Sequence, residues 1–363
     1  MAFRGLKHLA LAFAAALTFC GTAEAAPAGE NETVPDRSAM MREIPFASIE
    51  GVSVGNTQDD EAKTGVTVFC FKDGAKTGID IGGGGPASRE TPVLDPTKED
   101  IGIHAIVLSG GSAYGLAASD GVMRCLEEHG IGFETGYAKV PLVVQSCIYD
   151  LCYGRADVRP DAAMGYAACE NALAGSHPVS GVVGGGTGAT VGTFVNMKQS
   201  TKSGIGYYAV QIGSLKMGAA VIVNAWGDIF DTHGKKIAGL MNAERTAFLD
   251  SAAELYRIAT PTDLFSRKNT TIGVIVTNGR FDKAQLTRIA RQANNAYARC
   301  INPVGTLADG DTVYASSCGN LIDADVNMAG TLAAEVMAHA IENALLSSRI
   351  DDSEHLPYCV DLS

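Results

Sequence analysis

Apolar positions follow two different periods along the chain and divide it into regions. Residues 51–55, 65–71 and 77–81 are β-rich runs punctuated by Gly and Asn, a pattern that predicts strands. A helix is predicted over 113–129, where Leu116, Val122 and Leu126 share one face and Gly130 supplies a stop. A second helix is predicted over 161–173, after which 179–224 return to Gly- and Val-rich strands. Further helices are predicted over 243–256, 282–300 and 328–346, with strands over 272–277 and 312–315 in the gaps. Residues 257–269, with Pro261 and polar neighbours, read as an exposed loop within one domain. Strands in groups and helices in groups predict a layered α+β fold rather than a doubly wound sheet.

The first 25 residues stand apart from this pattern. Arg4, Lys7 and His8 precede an apolar run over 9–19, and Ala23-Glu24-Ala25 has the small-x-small form of a cleavage site. This is the signature of a removable signal peptide, and it predicts a secreted or periplasmic protein. The run is too short to span a bilayer, and no later segment is long and apolar enough to do so. Residues 26–43 are polar and are expected to be a flexible lead-in to a domain over 44–363.

At 363 residues, with 46% hydrophobic and 19% charged, the chain can bury a sizeable core. Its 40 acidic against 28 basic side chains leave a net charge of −12, which argues against nucleic acid or an anionic membrane as partner. Nine cysteines become eight once Cys20 leaves with the leader. Cys147 and Cys152 are the pair to check for a disulfide, while Cys125 and Cys169 fall in predicted helices as buried free thiols. No CxxC occurs and no Cys–His cluster at metal-ligand spacing stands out, so neither a structural zinc nor another metal is expected.

Several motifs suggest chemistry. Gly184-Gly185-Gly186-Thr187-Gly188-Ala189 resembles a dinucleotide fingerprint, but no acid follows between Glu170 and Asp228 to hold a ribose. Close backbone packing or turns is the expectation there. Ser112 does not sit in a GxSxG elbow and is expected to cap the helix that follows it. The amides of Gly110, Gly111 and Ser112 at that helix start could bind a substrate carboxylate. The histidines form no triad pattern. At Lys268-Asn269-Thr270-Thr271 a polar loop meets an apolar strand, and Asp309-Gly310-Asp311-Thr312 sets two carboxylates two positions apart.

These segments together resemble the DmpA/NylC group of L-aminopeptidase D-amidase/esterases, β-peptidyl aminopeptidases and nylon-oligomer hydrolases. The matches run in order: Ser88-Arg89-Glu90-Thr91; 108–123; Pro141-Leu142; Ile148-Tyr149-Asp150-Leu151; 184–192; Val223-Asn224-Ala225 with Gly227-Asp228; Asn269-Thr270-Thr271; and Asp309-Gly310-Asp311-Thr312-Val313. The resemblance covers about residues 44–346. It implies a four-layer αββα sandwich of the DmpA/ornithine acetyltransferase type. It also implies self-cleavage between Asn269 and Thr270, giving α (26–269) and β (270–363) pieces that stay together, and tetramers of such protomers. Carried over, Thr270 is the nucleophile, Asn224 the oxyanion-stabilising amide, Tyr149 the site tyrosine, and Asp309 with Asp311 the paired acids. Two positions depart from relatives. Thr270 stands where many aminopeptidase members have Ser. Thr193 stands where the nylon-hydrolase branch has a site lysine, for which Lys202 is a possible substitute at the substrate. The implied activity is hydrolysis of small peptides or amides without cofactor. An acyltransferase of the ornithine acetyltransferase type and an unprocessed exported binding protein are the alternatives.

Overall fold

The computed structural model describes residues 40–257 and 269–348. The expected leader, most of the polar lead-in, the loop over 258–268 and residues 349–363 lie outside them. Ten strands share one continuous sheet: β1 (Arg42–Glu43), β2 (Ser53–Asp59), β3 (Thr64–Ile81), β4 (Ser88–Arg89), β5 (Ile103–Ser109), β6 (Val143–Cys147), β7 (Ile205–Ile212), β8 (Leu215–Asn224), β9 (Thr270–Gly279) and β10 (Thr312–Ile322). Their order is β1-β7-β8-β9-β10-β3-β5-β6-β4, with β2 also paired to β3. β9 and β10 run parallel, as do β5 and β6; the remaining neighbours are antiparallel. The helices are α1 (Ala118–Glu128), α2 (Ala162–Leu173), α3 (Ser251–Tyr256), α4 (Lys283–Cys300) and α5 (Val326–Leu346).

The long strand β3 turns one sheet into two layers. Its residues 64–70 pair with β2 and β5, its residues 76–81 pair with β10, and the register slips between Cys70 and Ala75. Alternate side chains then fall into three separate cores. Ile275, Val313 and Ala315 pack against Leu286, Ala293, Val336 and Ile341 of α4 and α5. Phe69, Ile106, Ala220, Ile272 and Tyr314 meet between the two halves of the sheet. Val66 and Val107 pack against Val122 and Leu126 of α1 and Ala168 of α2. The result is the four-layer αββα sandwich. β9 lies at its centre, with Ile272, Val274, Ile275 and Val276 wholly buried, each contributing about 1.5–3 kcal/mol by leaving water.

Local signals fix the helix starts. Asp161 accepts the Met164 amide at 2.9 Å, Asp325 accepts those of Asn327 and Met328, and Asp282 with Gln285 forms a reciprocal capping box. The glycine run does what close packing requires: a Cβ on Gly185 would lie 2.6 Å from the Leu108 carbonyl oxygen and 2.7 Å from Ile222 Cδ1. Gly184–Gly186 is therefore a short turn wedged between the two halves of the sheet.

Several sequence expectations need correction. The helix over 113–129 begins as a 3-10 segment, Ser112–Ala117, with Gly111 at φ 82° before it. Ser112 itself lies at φ 55° and makes no capping bond, so it does not cap the helix. The helix over 243–256 shrinks to α3, because Arg245 takes φ 58° and the Asn242 side chain accepts the amides of Thr246 and Ala247. Arg42 and Glu43 are paired to β7 rather than part of a flexible lead-in. Cys147 and Cys152 are both free thiols, the first buried beside Ser109 and the second exposed next to Met197. The absence of a Cys–His cluster was also misjudged. Cys125 lies in the last turn of α1 and His129, four residues on, caps it, and with Glu170 of α2 their ligand atoms lie within 4.8 Å of one another.

Candidate active site

Three strand ends and one loop converge at Thr270. It is the first residue of β9 and stands opposite Asn224, the last residue of β8. Asn269 bridges Asp309 just ahead of β10. All of these groups are buried: Asn224 is 0% exposed, Thr270 4%, and Asn269, Asp309 and Asp311 each 2%.

The peptide bond between Asn269 and Thr270 is held on both sides. The Asn269 amide donates to the Ala308 carbonyl at 3.2 Å. The Asn269 carbonyl accepts the Gly310 amide at 3.0 Å and, in close contact, the Thr270 hydroxyl. A Cβ on Gly310 would lie 2.8 Å from Thr270 Oγ1, so only glycine lets this backbone approach so closely. The Asn269 side chain donates to Thr193 Oγ1 at 2.7 Å. Thr193 thus fixes the residue before the hydroxyl.

Asn224 is fixed as well. Its Oδ1 accepts the Thr190 amide at 3.1 Å, and its Nδ2 donates to the Tyr149 carbonyl at 3.1 Å. One hydrogen of that NH2 group is left for a ligand. Tyr149 thus meets Asn224 through its backbone; its half-buried phenol has its pKa raised, first by burial and then by Cys152. Lys202 is buried, donating to the Ala189 carbonyl at 2.8 Å and to that of Ser203, with the Tyr153 ring 5.3 Å away. It pairs with Thr190 across a short hairpin, so Thr190 and Asn224 link it to Thr270. The amides expected to hold a substrate carboxylate are already engaged within the chain: Gly110 with Gly65, Gly111 with Asp150 at 2.7 Å, and Ser112 with Ile148. The carboxylate bound there is the protein's own.

The paired acids differ in their supports. Asp311 accepts the Thr271 amide at 2.7 Å and the Gly305 amide at 3.0 Å; Asp309 accepts both the amide and hydroxyl of Thr306. Burial raises both pKa values, and the Asp309 charge helps push Asp311 up to about 7. A cleft of about 250 Å³ between α4 and the β10 approach, lined by Asp80, Arg291 and Asn294, reaches Asp311. Behind the pair, the amides of Gly82 and Gly83 donate to the Asp311 carbonyl and that of Gly85 to the Asp309 carbonyl. This glycine run and Gly310 escaped the sequence reading, although the four consecutive glycines over 82–85 were a usable signal.

A hydroxyl held against a buried carbonyl, with a backbone donor on the same oxygen and two acids nearby, suits acyl transfer through Thr270. The model of peptidase family S58 matches residues 46–353. The chain belongs to peptidase family S58. It is 38% identical over 288 residues to an uncharacterised aminopeptidase of Mycobacterium tuberculosis, covering 76% of this chain and 81% of that one. It is 32% identical over 330 residues to a 6-aminohexanoate-oligomer endohydrolase of a Kocuria species, covering 86% and 89%. Among solved structures it is similar to the L-aminopeptidase D-Ala-esterase/amidase of Ochrobactrum anthropi, described as a variant of the Ntn hydrolase fold. That likeness has TM-score 0.62 at 18% identity over 84% of this chain and 86% of that one. A Burkholderia β-aminopeptidase gives TM-score 0.57 at 20% identity over 85% and 86%. The structural likenesses establish the fold; the family match and the sequence relatives make this S58 protein a hydrolase of the aminopeptidase/amidase group.

Proposed function

We propose that this S58 chain cuts itself between Asn269 and Thr270 and then hydrolyses amide bonds of small peptides or amino-terminal amides with Thr270 as an N-terminal nucleophile. One observation carries the reading: the Thr270 hydroxyl and the Gly310 amide both donate to the Asn269 carbonyl oxygen. In the first reaction Oγ1 attacks that carbonyl carbon, and the oxygen takes on negative charge facing Gly310. The C–N bond then breaks, the proton from the hydroxyl ends on the departing nitrogen, and the chain is joined through an ester. Water hydrolyses the ester, leaving a carboxylate on Asn269 and a free amine on Thr270.

That amine has an ordinary pKa of about 7.7–8.0, so near neutral pH it can serve as base for the hydroxyl on the same residue. A substrate acyl group would form the same ester that Asn269 formed, so its oxyanion would develop near the Gly310 amide and the free Asn224 hydrogen. Asp309 and Asp311 would orient the amine and hydroxyl of Thr270 or receive a substrate ammonium. Lys202 would act on the substrate side only through Thr190 and Asn224. Export rests on the leader pattern over residues 1–25, and assembly as a tetramer of cleaved protomers rests on the family resemblance.

The test is a denaturing gel with intact mass on wild type and Thr270→Ala. Wild type should give pieces of about 25 and 10 kDa, the smaller beginning at Thr270. The variant should stay whole and inactive. A variant still cut at the same bond would remove Thr270 from the chemistry.

A further inference from the structure

The outer helical layer carries a second cluster of reactive side chains, separate from Thr270. Cys125 lies in the last turn of α1, His129 caps the C-terminus of that helix one turn on, and Glu170 belongs to α2. Cys125 Sγ lies 3.4 Å from Glu170 Oε1, and His129 Nδ1 lies 3.6 Å from the same oxygen. Cys169 lies 3.8 Å from Cys70 and shares a buried cluster with Cys125, so a second thiol is near. Cys125 is fully buried, while the His129 and Glu170 side chains are 43% and 41% exposed. They border a cleft of about 400 Å³ that Lys72, Ile131, Leu173 and Ala174 complete.

We propose that Cys125, His129 and Glu170 form a zinc(II) site that clamps α1 to α2. The ligand types fit: a thiolate, an imidazole and a carboxylate are the donors zinc takes, at about 2.0–2.3 Å each. A tetrahedral ion therefore needs its ligand atoms about 3.3–3.8 Å apart. Two of the contacts already fall near that range, and the remaining separation closes by a side-chain movement of about 1 Å. Binding releases the Cys125 proton to solvent. His129 gives up the 2.9 Å bond that its Nδ1–H donates to the Cys125 carbonyl, and its proton passes through solvent from Nδ1 to Nε2, leaving the Nδ1 lone pair for the metal. With water in the fourth position, one thiolate and one carboxylate cancel the double charge of the ion, and Lys72 at the rim faces a neutral complex. The fourth position falls to Cys169 or to water from the cleft.

Titration of untagged, chelator-stripped full-length protein with zinc(II), followed calorimetrically, tests this. One equivalent should bind, and His129→Ala and Glu170→Gln should each weaken binding at least about tenfold. Both positions are part-exposed, so these variants keep the fold even if Cys125→Ser does not. Cobalt(II) as probe should give a sulfur-to-metal charge-transfer band whose intensity counts the thiolates, with the visible spectrum of a tetrahedral ion. Failure to bind zinc would overturn the proposal. So would binding that neither His129→Ala nor Glu170→Gln alters, since the ion would then sit elsewhere.

Discussion

Asp228 and Asp311 are buried almost equally, at 1% and 2% exposure; Asp228 opens a short strand, Asp228–Phe230, that follows β8, and Asp311 lies just before β10. Around Asp228 the carboxylate is saturated. It pairs with Lys236 at 2.7 Å and accepts the Leu240 amide, the Ser251 amide and the Ser251 hydroxyl at 2.8–2.9 Å. These bonds gather the segment from β8 to α3 around one charge. Around Asp311 there are two backbone donors, a second carboxylate and, among the described residues, no ion pair. A buried acid with a cation and three further donors is a structural joint. One without a cation keeps its proton to higher pH and is available for chemistry.

The comparison breaks most visibly if the two acids are neutralised in turn. Asp311→Asn is expected to lower turnover by about 10²–10⁴-fold while leaving the fold intact, measured by steady-state amide hydrolysis beside thermal unfolding. Equal turnover in the variant would make Asp311 a structural residue like Asp228. Asp228→Asn should do the reverse. It leaves Lys236 facing a neutral amide and should cost about 3 kcal/mol of stability in urea unfolding, with normal turnover in the folded fraction.

Stability against pH sharpens the distinction. An unfolded aspartate titrates near 3.9, whereas Asp311 holds its proton up to about 7. Between these values the folded chain binds more protons than the unfolded one, so this group makes stability fall as pH rises through the window and level off above it. The slope is at most about 1.4 kcal/mol per pH unit, and Asp311→Asn should remove it in denaturant midpoints taken from pH 4 to pH 7. The smallest expected effect is at Thr193. Thr193→Val removes the bond to the Asn269 side chain, worth about 1 kcal/mol, and should slow the self-cut about fivefold without altering turnover once cut. Thr193→Ser should restore the rate, and a Val variant that matures at the normal rate would show that Asn269 needs no such anchor.

Sequence alone was informative wherever the signal was local. The helices over 161–173 and 282–300 begin where the pattern places them, and the polar-to-apolar boundary at 269–271 marks a strand start, whereas Thr270 as nucleophile came from the family resemblance alone. The layered fold followed from grouped strands and helices. What could not be read were partners set by distant chain segments: Thr193 is 76 residues from Asn269, and nothing in either neighbourhood points to the other. Gly310 looked like a spacer between two acids because its role is a backbone amide, which no residue type reveals. The stretch over 243–250 carried helical periodicity, yet the Asn242 turn and the left-handed Arg245 override it. Cys125 and His129 stand four apart in the sequence, but Glu170, which completes their cluster, comes from another helix that local spacing does not reveal.

β9 and β10 both follow Asn269, and they lie side by side between β8 and β3, which precede it; eight cross-strand pairs tie β8 to β9 and six tie β10 to β3. The segment after Asn269 forms the middle of the sheet and brings α4 and α5 as its cover, and the segment before it forms the flanks. Neither segment has a finished sheet without the other. Thr270 is accordingly the place to divide the coding sequence in two, with each half inert until its complement is made.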